Sequence, residues 1–269
     1  MKMKATDIIR NDWDEGSDAY YQRTYASGEV LDIITKTPQW AFPEAVFPLI
    51  QKYLPDLKGK RVCVASSGDN IAAFGFHLLG ARVTSVDLSE RQIANAQAIA
   101  TSRGWDIEFV CDNSMELGKI DDEAFDLVYT SNGVHVWISD LKAMYGNFNR
   151  ILKQGGHYIF FDTHPMIRPF DDTTYEVKIK KPYEDVGPFG DVPTYGWRTQ
   201  DFVNALVSSG FTIREMQEFH SARGDLKEAH NYLYVADNQK FNWPGDTFDW
   251  HNNPWAALPQ CLGLCCQKV

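Results

Sequence analysis

Residues 61–87 hold the side chains with the clearest chemical use. The run Arg61-Val-Cys-Val-Ala65 leads into Ser66-Ser67-Gly68-Asp69-Asn70, and a second apolar run, Arg82 to Val86, closes on Asp87. Strand, small-residue loop, helix, strand and acidic residue, in that order, present an adenosine-containing cofactor at the carboxyl ends of an α/β sheet. Gly68 admits close approach of backbone to ligand. A dinucleotide loop needs further glycines and a helix amino terminus facing a pyrophosphate. Here Ser66 and Asn70 stand at those places, and the carboxylate of Asp69 would repel the anion. S-adenosylmethionine has no phosphate, carries an ammonium group that suits an acidic neighbour, and has a sulfonium that can lie near aromatic faces. The loop therefore favours that cofactor over a nicotinamide dinucleotide.

Such a loop has to be held by a sheet covered on both faces. Arg61 to Ala65 reads as a buried strand, Asn70 as the cap of a helix from Ile71 to Leu79, and Gly80 as its stop. Ser89 with Gln92 forms a capping-box pair, opening a helix that places Ile93, Ala96 and Ala100 on one side and ends at Gly104. Strands are expected at Ile107 to Val110, Phe125 to Thr130 and His157 to Asp162. Leu141, Met144, Tyr145, Phe148, Ile151 and Leu152 mark the apolar stripe of a helix. Strand and helix thus alternate over 61–162, the pattern of an α/β, doubly wound, mostly parallel sheet. Beyond it, Thr199 to Ser209 reads as helix, Phe211 to Phe219 as strand, and Cys261 to Cys266 as a last apolar run. Residues 1–58, aromatic-rich and broken by Pro38, Pro43, Pro48 and Pro55, read as irregular helical segments covering a domain at 59–269. Insertions at about 165–198 and 221–257, the second with Trp243, Trp250 and Trp255, read as lids or binding segments. Their tryptophans would suit an apolar acceptor pocket, or simply core.

The chain has 269 residues and a formal net charge of -10. No basic run offers a face to a phosphate backbone, which argues against nucleic acid and for a small substrate. No window approaches a membrane span and no apolar leader follows Met1, so a cytoplasmic protein is expected. Cys63, Cys111, Cys261, Cys265 and Cys266 show no paired C-x-x-C spacing; they read as reduced thiols, with no zinc or disulfide framework.

On these residues the sequence resembles the class I S-adenosylmethionine-dependent methyltransferases, particularly the small-molecule branch with the ubiquinone/menaquinone-type enzymes. The family's first strand and glycine loop fall on Val62 to Asn70, with Gly68 kept and Val64 at the acidic position. Phe125-Asp-Leu-Val-Tyr-Thr-Ser131 is similar to its fourth strand. Arg150-Ile-Leu-Lys-Gln-Gly-Gly156 resembles its Arg-x-Leu-x-Pro-Gly-Gly, with Gln154 for the proline. The resemblance implies a seven-stranded sheet whose last strand, Gln260 to Lys268, runs antiparallel. It assigns Ser66, Ser67, Gly68, Asp69, Leu88 and Thr130 to the cofactor cleft, Asp87 to the ribose hydroxyls, and Asp112 with Asn113 to the adenine.

Methyl transfer is an in-line displacement that depends on holding the acceptor in a site closed to water. His164, after the fifth strand, and His135, after the fourth, stand where the topology places acceptor-facing groups. Each is a candidate general base or substrate ligand, or a hydrogen-bonded histidine at a strand end. His77, inside the first helix of the sheet region, reads as structural. Tyr20, Tyr21 and Trp40 are candidates to close the cofactor cleft, or members of a packed cover. The rival functions are a nicotinamide-dependent oxidoreductase and a module that binds S-adenosylmethionine without turning it over.

Overall fold

The computed structural model describes residues 3–43, 45–171, 177–220 and 249–269. Three helices come first: Ala5–Tyr25 (α1), Glu29–Lys36 (α2) and Phe47–Tyr53 (α3). Then follow Arg61–Ala65 (β1), Ile71–Leu78 (α4), Arg82–Asp87 (β2), Glu90–Arg103 (α5), Ile107–Cys111 (β3), Phe125–Ser131 (β4), Leu141–Ile151 (α6) and Leu152–Thr163 (β5). Thr199–Ser208 (α7), Phe211–His220 (β6) and Pro259–Lys268 (β7) complete the chain. Among the described residues the seven strands form one sheet in the order β3-β2-β1-β4-β5-β7-β6. β1 pairs in parallel with β2 and β4, and β7 is antiparallel to both its neighbours.

Alternation along the buried strands feeds two cores. Val62, Val64, Leu127, Tyr129 and Ile159 face α4 and the first three helices, while Cys63, Ala65, Val128, Tyr158 and Phe160 face α6 and α7. The reversal of strand order falls between β1 and β4, which opens a crevice at their carboxyl ends.

Four local expectations need correction. α1 is one continuous helix of 21 residues, not an irregular segment. Leu152 belongs to β5 rather than to α6, because a bulge lets Phe125 pair with Leu152 and Leu127 with His157. A Cβ at Gly156 would lie 2.9 Å from the Lys153 carbonyl, so the bulge needs that glycine. The capping box at α5 is only half formed: Ser89 Oγ accepts from Gln92 N–H at 3.0 Å, but Ser89 N–H donates to Asp87 Oδ1 at 2.9 Å instead of to Gln92. Asn70 takes the left-handed conformation, φ 63°, and does not cap α4; Asp69 Oδ1 accepts from Ile71 N–H at 3.1 Å in its place.

Of the second insertion, 221–248, including Trp243, lies outside the described residues. Trp250 is exposed, and Trp255 is buried in a small cluster with Ile167, Phe170 and Leu258. All five cysteines are free thiols. Among the described residues no helix is long and apolar enough to cross a membrane.

Candidate cofactor and acceptor site

A backbone-to-carboxylate hydrogen bond ties the loop after β1 to the carboxyl end of β2. Gly68 N–H donates to Asp87 Oδ2 at 2.8 Å, so both oxygens of this buried carboxylate receive backbone N–H groups. Burial pushes the Asp87 carboxyl above its ordinary range, against the pull of the Ser89, Gly68 and Leu88 amides. Burial raises Asp69 as well, opposed by Ile71 N–H and by the Tyr20 hydroxyl. Neither carboxylate has a cation to balance it within this group, so each favours a positively charged ligand.

The loop is rigid for reasons its composition hides. Asn70 sits where the loop motif that the sequence resembles has a glycine, and it is fully buried. It accepts from Ser85 Oγ, and its Nδ2 donates to the Gly68 carbonyl at 2.8 Å and to Tyr21 Oη at 3.1 Å. Ser85 Oγ also lies 2.8 Å from Ser67 Oγ, and Ser66 Oγ lies 2.8 Å from Ser114 Oγ. Ser66 itself has φ 48°. Nothing lies within 4 Å of where a Cβ on Gly68 would project, which leaves that side of the loop open to a ligand.

α1 lies across this end of the sheet. Tyr20 Oη donates to Asp69 Oδ2 at 3.1 Å, Tyr21 Oη to the Gly68 carbonyl at 3.1 Å, and Tyr25 Oη to the Asp69 carbonyl at 2.8 Å. Asp14 Oδ1 accepts from Ser89 Oγ at 2.5 Å and from Arg91 N–H at 3.1 Å, at the start of α5. On the other flank Trp13 meets Trp137 edge to face, 5.5 Å between centroids, in the turn His135–Trp137 after β4. Tyr20, Tyr21 and Tyr25 therefore reach the loop, and Trp13 reaches the turn after β4; sequence reasoning did not single out Tyr25 or Trp13. Trp40 does not join them. It lies in the turn Pro38–Ala41, which packs on α4 beside Gly75.

The third strand brings Asp112 next to Asp87: Asp112 N–H donates to the Asp87 carbonyl at 2.9 Å. Its carboxylate accepts from Asn113 N–H at 2.8 Å and Lys119 N–H at 2.9 Å, while Asn113 Oδ1 accepts from Met115 N–H at 3.0 Å. The two residues thus brace their own turn at the edge of the cleft. Leu88 offers a carbonyl 3.5 Å from Cys111 Sγ. Thr130 is spent in the core, its hydroxyl 2.8 Å from Tyr158 Oη.

Both candidate histidines are buried and saturated. His135 Nδ1 lies 2.6 Å from Asp162 Oδ2 and its Nε2 lies 2.9 Å from Tyr145 Oη, with Phe160 and Phe202 against the ring. Burial would raise Asp162, but His135 and then Arg168 outweigh it and hold the carboxyl below its ordinary range. His164 Nδ1 accepts from Met166 N–H at 3.1 Å, which puts the proton of the neutral ring on Nε2, 2.9 Å from Glu218 Oε1. Burial lowers the His164 pKa despite Glu218. Neither ring keeps a free nitrogen for an acceptor proton. His77 sits on α4 beside Trp105, away from the cleft.

Residues 64–160 match the family described as "Methyltransferase domain". An uncharacterized methyltransferase of Bacillus subtilis, YbaJ, is 22% identical over 223 residues, covering 77% of this chain and 87% of that protein. The S-adenosylmethionine-dependent methyltransferase of Mesorhizobium loti superposes with a TM-score of 0.59 at 20% identity, over 83% of this chain and 98% of that one. Magnesium protoporphyrin IX methyltransferase from Synechocystis, solved with bound S-adenosylhomocysteine, superposes with a TM-score of 0.58 at 15% identity over 99% and 100%. The sheet order and the superpositions give the chain the fold of the S-adenosylmethionine-dependent methyltransferases, and its central part matches a methyltransferase domain. The methyltransferase domain match spans β1 to β5, the strands that carry the loop, Asp87 and Asp112.

Proposed function

We propose that this chain binds S-adenosylmethionine across Gly68, Asp69 and Asp87 and methylates a small molecule presented at the carboxyl ends of β4 and β5. The observation that carries the reading is a pair of carboxylates, Asp69 half-buried and Asp87 buried, on either side of an open glycine with no cation among the described residues hydrogen-bonded to either. That donor set fits an ammonium and a ribose, and it repels a pyrophosphate. A carboxylate has about four acceptor sites, so Asp87 keeps capacity for a ribose hydroxyl after its backbone bonds. Asp112 and Asn113 stand at the adenine end and Leu88 beside them, with Ser66 and Ser67 shaping the loop.

When bound, the cofactor supplies an electrophilic methyl group on a sulfonium sulfur. The residues of the chain do the positioning: the loop holds the cofactor backbone, α1 excludes water, and the turn after β4 fixes the direction from which the acceptor approaches. His135 and His164 support this geometry, and no proton transfer is assigned to either. The test is parallel calorimetry with S-adenosylmethionine, S-adenosylhomocysteine and NADH. Saturable binding of the two adenosyl ligands without NADH upholds the reading, and NADH binding alone overturns it.

A further inference from the structure

A cavity of about 10 Å³ lies on the acceptor side, between the turn after β4 and the chain from Asp162 to Arg168. It has room for one water-sized group, so it can take only the end of a ligand. Arg168, Tyr195, Trp197, His135, Asp162 and Phe202 are among the residues that line it.

Arg168 is the unexplained group. Its side chain is only 20% exposed, and its contact with Asp162 is 4.0 Å, beyond hydrogen-bond length. Asp162 is already satisfied by the His135 ring, by His135 N–H at 3.1 Å and by Thr163 N–H at 2.6 Å. Among the described residues the guanidinium makes no side-chain hydrogen bond, although it carries five donors in a fork that fits a carboxylate or phosphate.

The surroundings add positive charge. Lys180 N–H donates to the Pro169 carbonyl at 2.7 Å, which sets 180–181 beside Arg168. The Lys181 ammonium lies 4.7 Å over the Phe189 ring, next to Gly196. Burial first, and then Lys180 and Arg168 against the gain from Asp185, lower its pKa. A local cluster of cations in a chain of net charge -10 is a selective feature of this rim. The wall is preorganised: Tyr195 and Trp197 stack at 12° and 5.8 Å, fixed by Tyr195 N–H to the Val136 carbonyl at 2.8 Å and Trp197 Nε1–H to the Ile138 carbonyl at 2.8 Å.

We propose that Arg168 receives the anionic end, a carboxylate or phosphate group, of the methyl acceptor, whose flat apolar part lies along Tyr195 and Trp197. This rests on the methyl-transfer reading above. The test titrates benzoate and, separately, inorganic phosphate into wild-type, Arg168→Gln and Arg168→Lys protein, each saturated with S-adenosylhomocysteine. Expected is binding of at least one probe to wild type, weakened tenfold or more in Arg168→Gln and partly kept in Arg168→Lys, with S-adenosylhomocysteine affinity equal in all three. Benzoate and phosphate then distinguish a carboxylate from a phosphate acceptor. Equal probe affinity in wild type and Arg168→Gln overturns the proposal, as does S-adenosylhomocysteine binding with no binding of either anion. Failure of wild type to bind S-adenosylhomocysteine overturns the methyl-transfer reading and this proposal with it.

Discussion

Gly68 N–H and Asp87 Oδ2, 2.8 Å apart, tie the loop after β1 to the end of β2. A ligand that grips Asp87 therefore also fixes the backbone on which the rest of the ligand lies. The two jobs of this carboxylate can be separated by substitution.

Asp87→Ala is expected to weaken S-adenosylhomocysteine binding at least tenfold. It also leaves the Gly68 and Ser89 amides without their acceptor, at a cost of about 1–3 kcal/mol. Calorimetry reads the first effect and urea unfolding the second. Unchanged affinity with unchanged stability would remove Asp87 from both roles.

Affinity should also fall on acidification, and should begin to do so above the ordinary carboxylate value of 3.8, because burial raises both Asp69 and Asp87. Protonation removes the negative charge that a cationic ligand needs, and binding releases protons in that range. Isothermal titration in two buffers of different ionisation enthalpy measures the release. A flat affinity between pH 7 and 4 would contradict the buried-carboxylate account.

Asn70→Ala strips a buried hub from a residue with φ 63°, and should destabilise the protein by about 2–4 kcal/mol from unmet polar groups plus backbone strain. Asn70→Gly relieves the strain and should lose less. Chemical denaturation of the pair would show equal losses if the left-handed backbone carried no cost.

His164→Asn keeps an acceptor for Met166 N–H but removes the titrating ring. Burial lowers the folded-state pKa of His164 below 6.5. A depressed histidine contributes stability that is fully present above 6.5 and is lost as pH falls through that value. The melting temperature of wild type should therefore drop more between pH 7.5 and 5.5 than that of the variant. At pH 7.5 the cost of losing the half-exposed Glu218 partner should stay below about 1 kcal/mol. Identical pH sensitivity in the two proteins would be the contrary result.

The strands around the cleft were legible because each is an apolar run closed by a small or polar residue, as Arg61 to Ala65 is closed by Ser66. The positions of Asp87, at the end of its strand, and Gly68, in the loop, were legible from order alone. α1 was not: its buried face mixes Ile9, Ser17, Tyr21 and Tyr25, and its partners on α5 are polar, such as Gln92, 3.2 Å from Ser17 Oγ. No apolar stripe announces a helix held this way. The partners of the histidines were hidden for another reason. His164 looks reactive at a strand end, yet its ring is satisfied by Glu218, 54 residues away, and His135 by Asp162, 27 residues away. A one-dimensional pattern carries no trace of such pairings.

The clasp of α1 on the loop after β1 implies shared opening. Three tyrosine hydroxyls end on Gly68 and Asp69, and Trp13 anchors the far end of the same stretch on Trp137. Exchange of cofactor for product then requires the amides of 13–25 and 66–70 to lose protection from solvent deuterium together, as one cooperative unit. On the proposed reading, turnover would be paced by how often the first helix of the chain lets go.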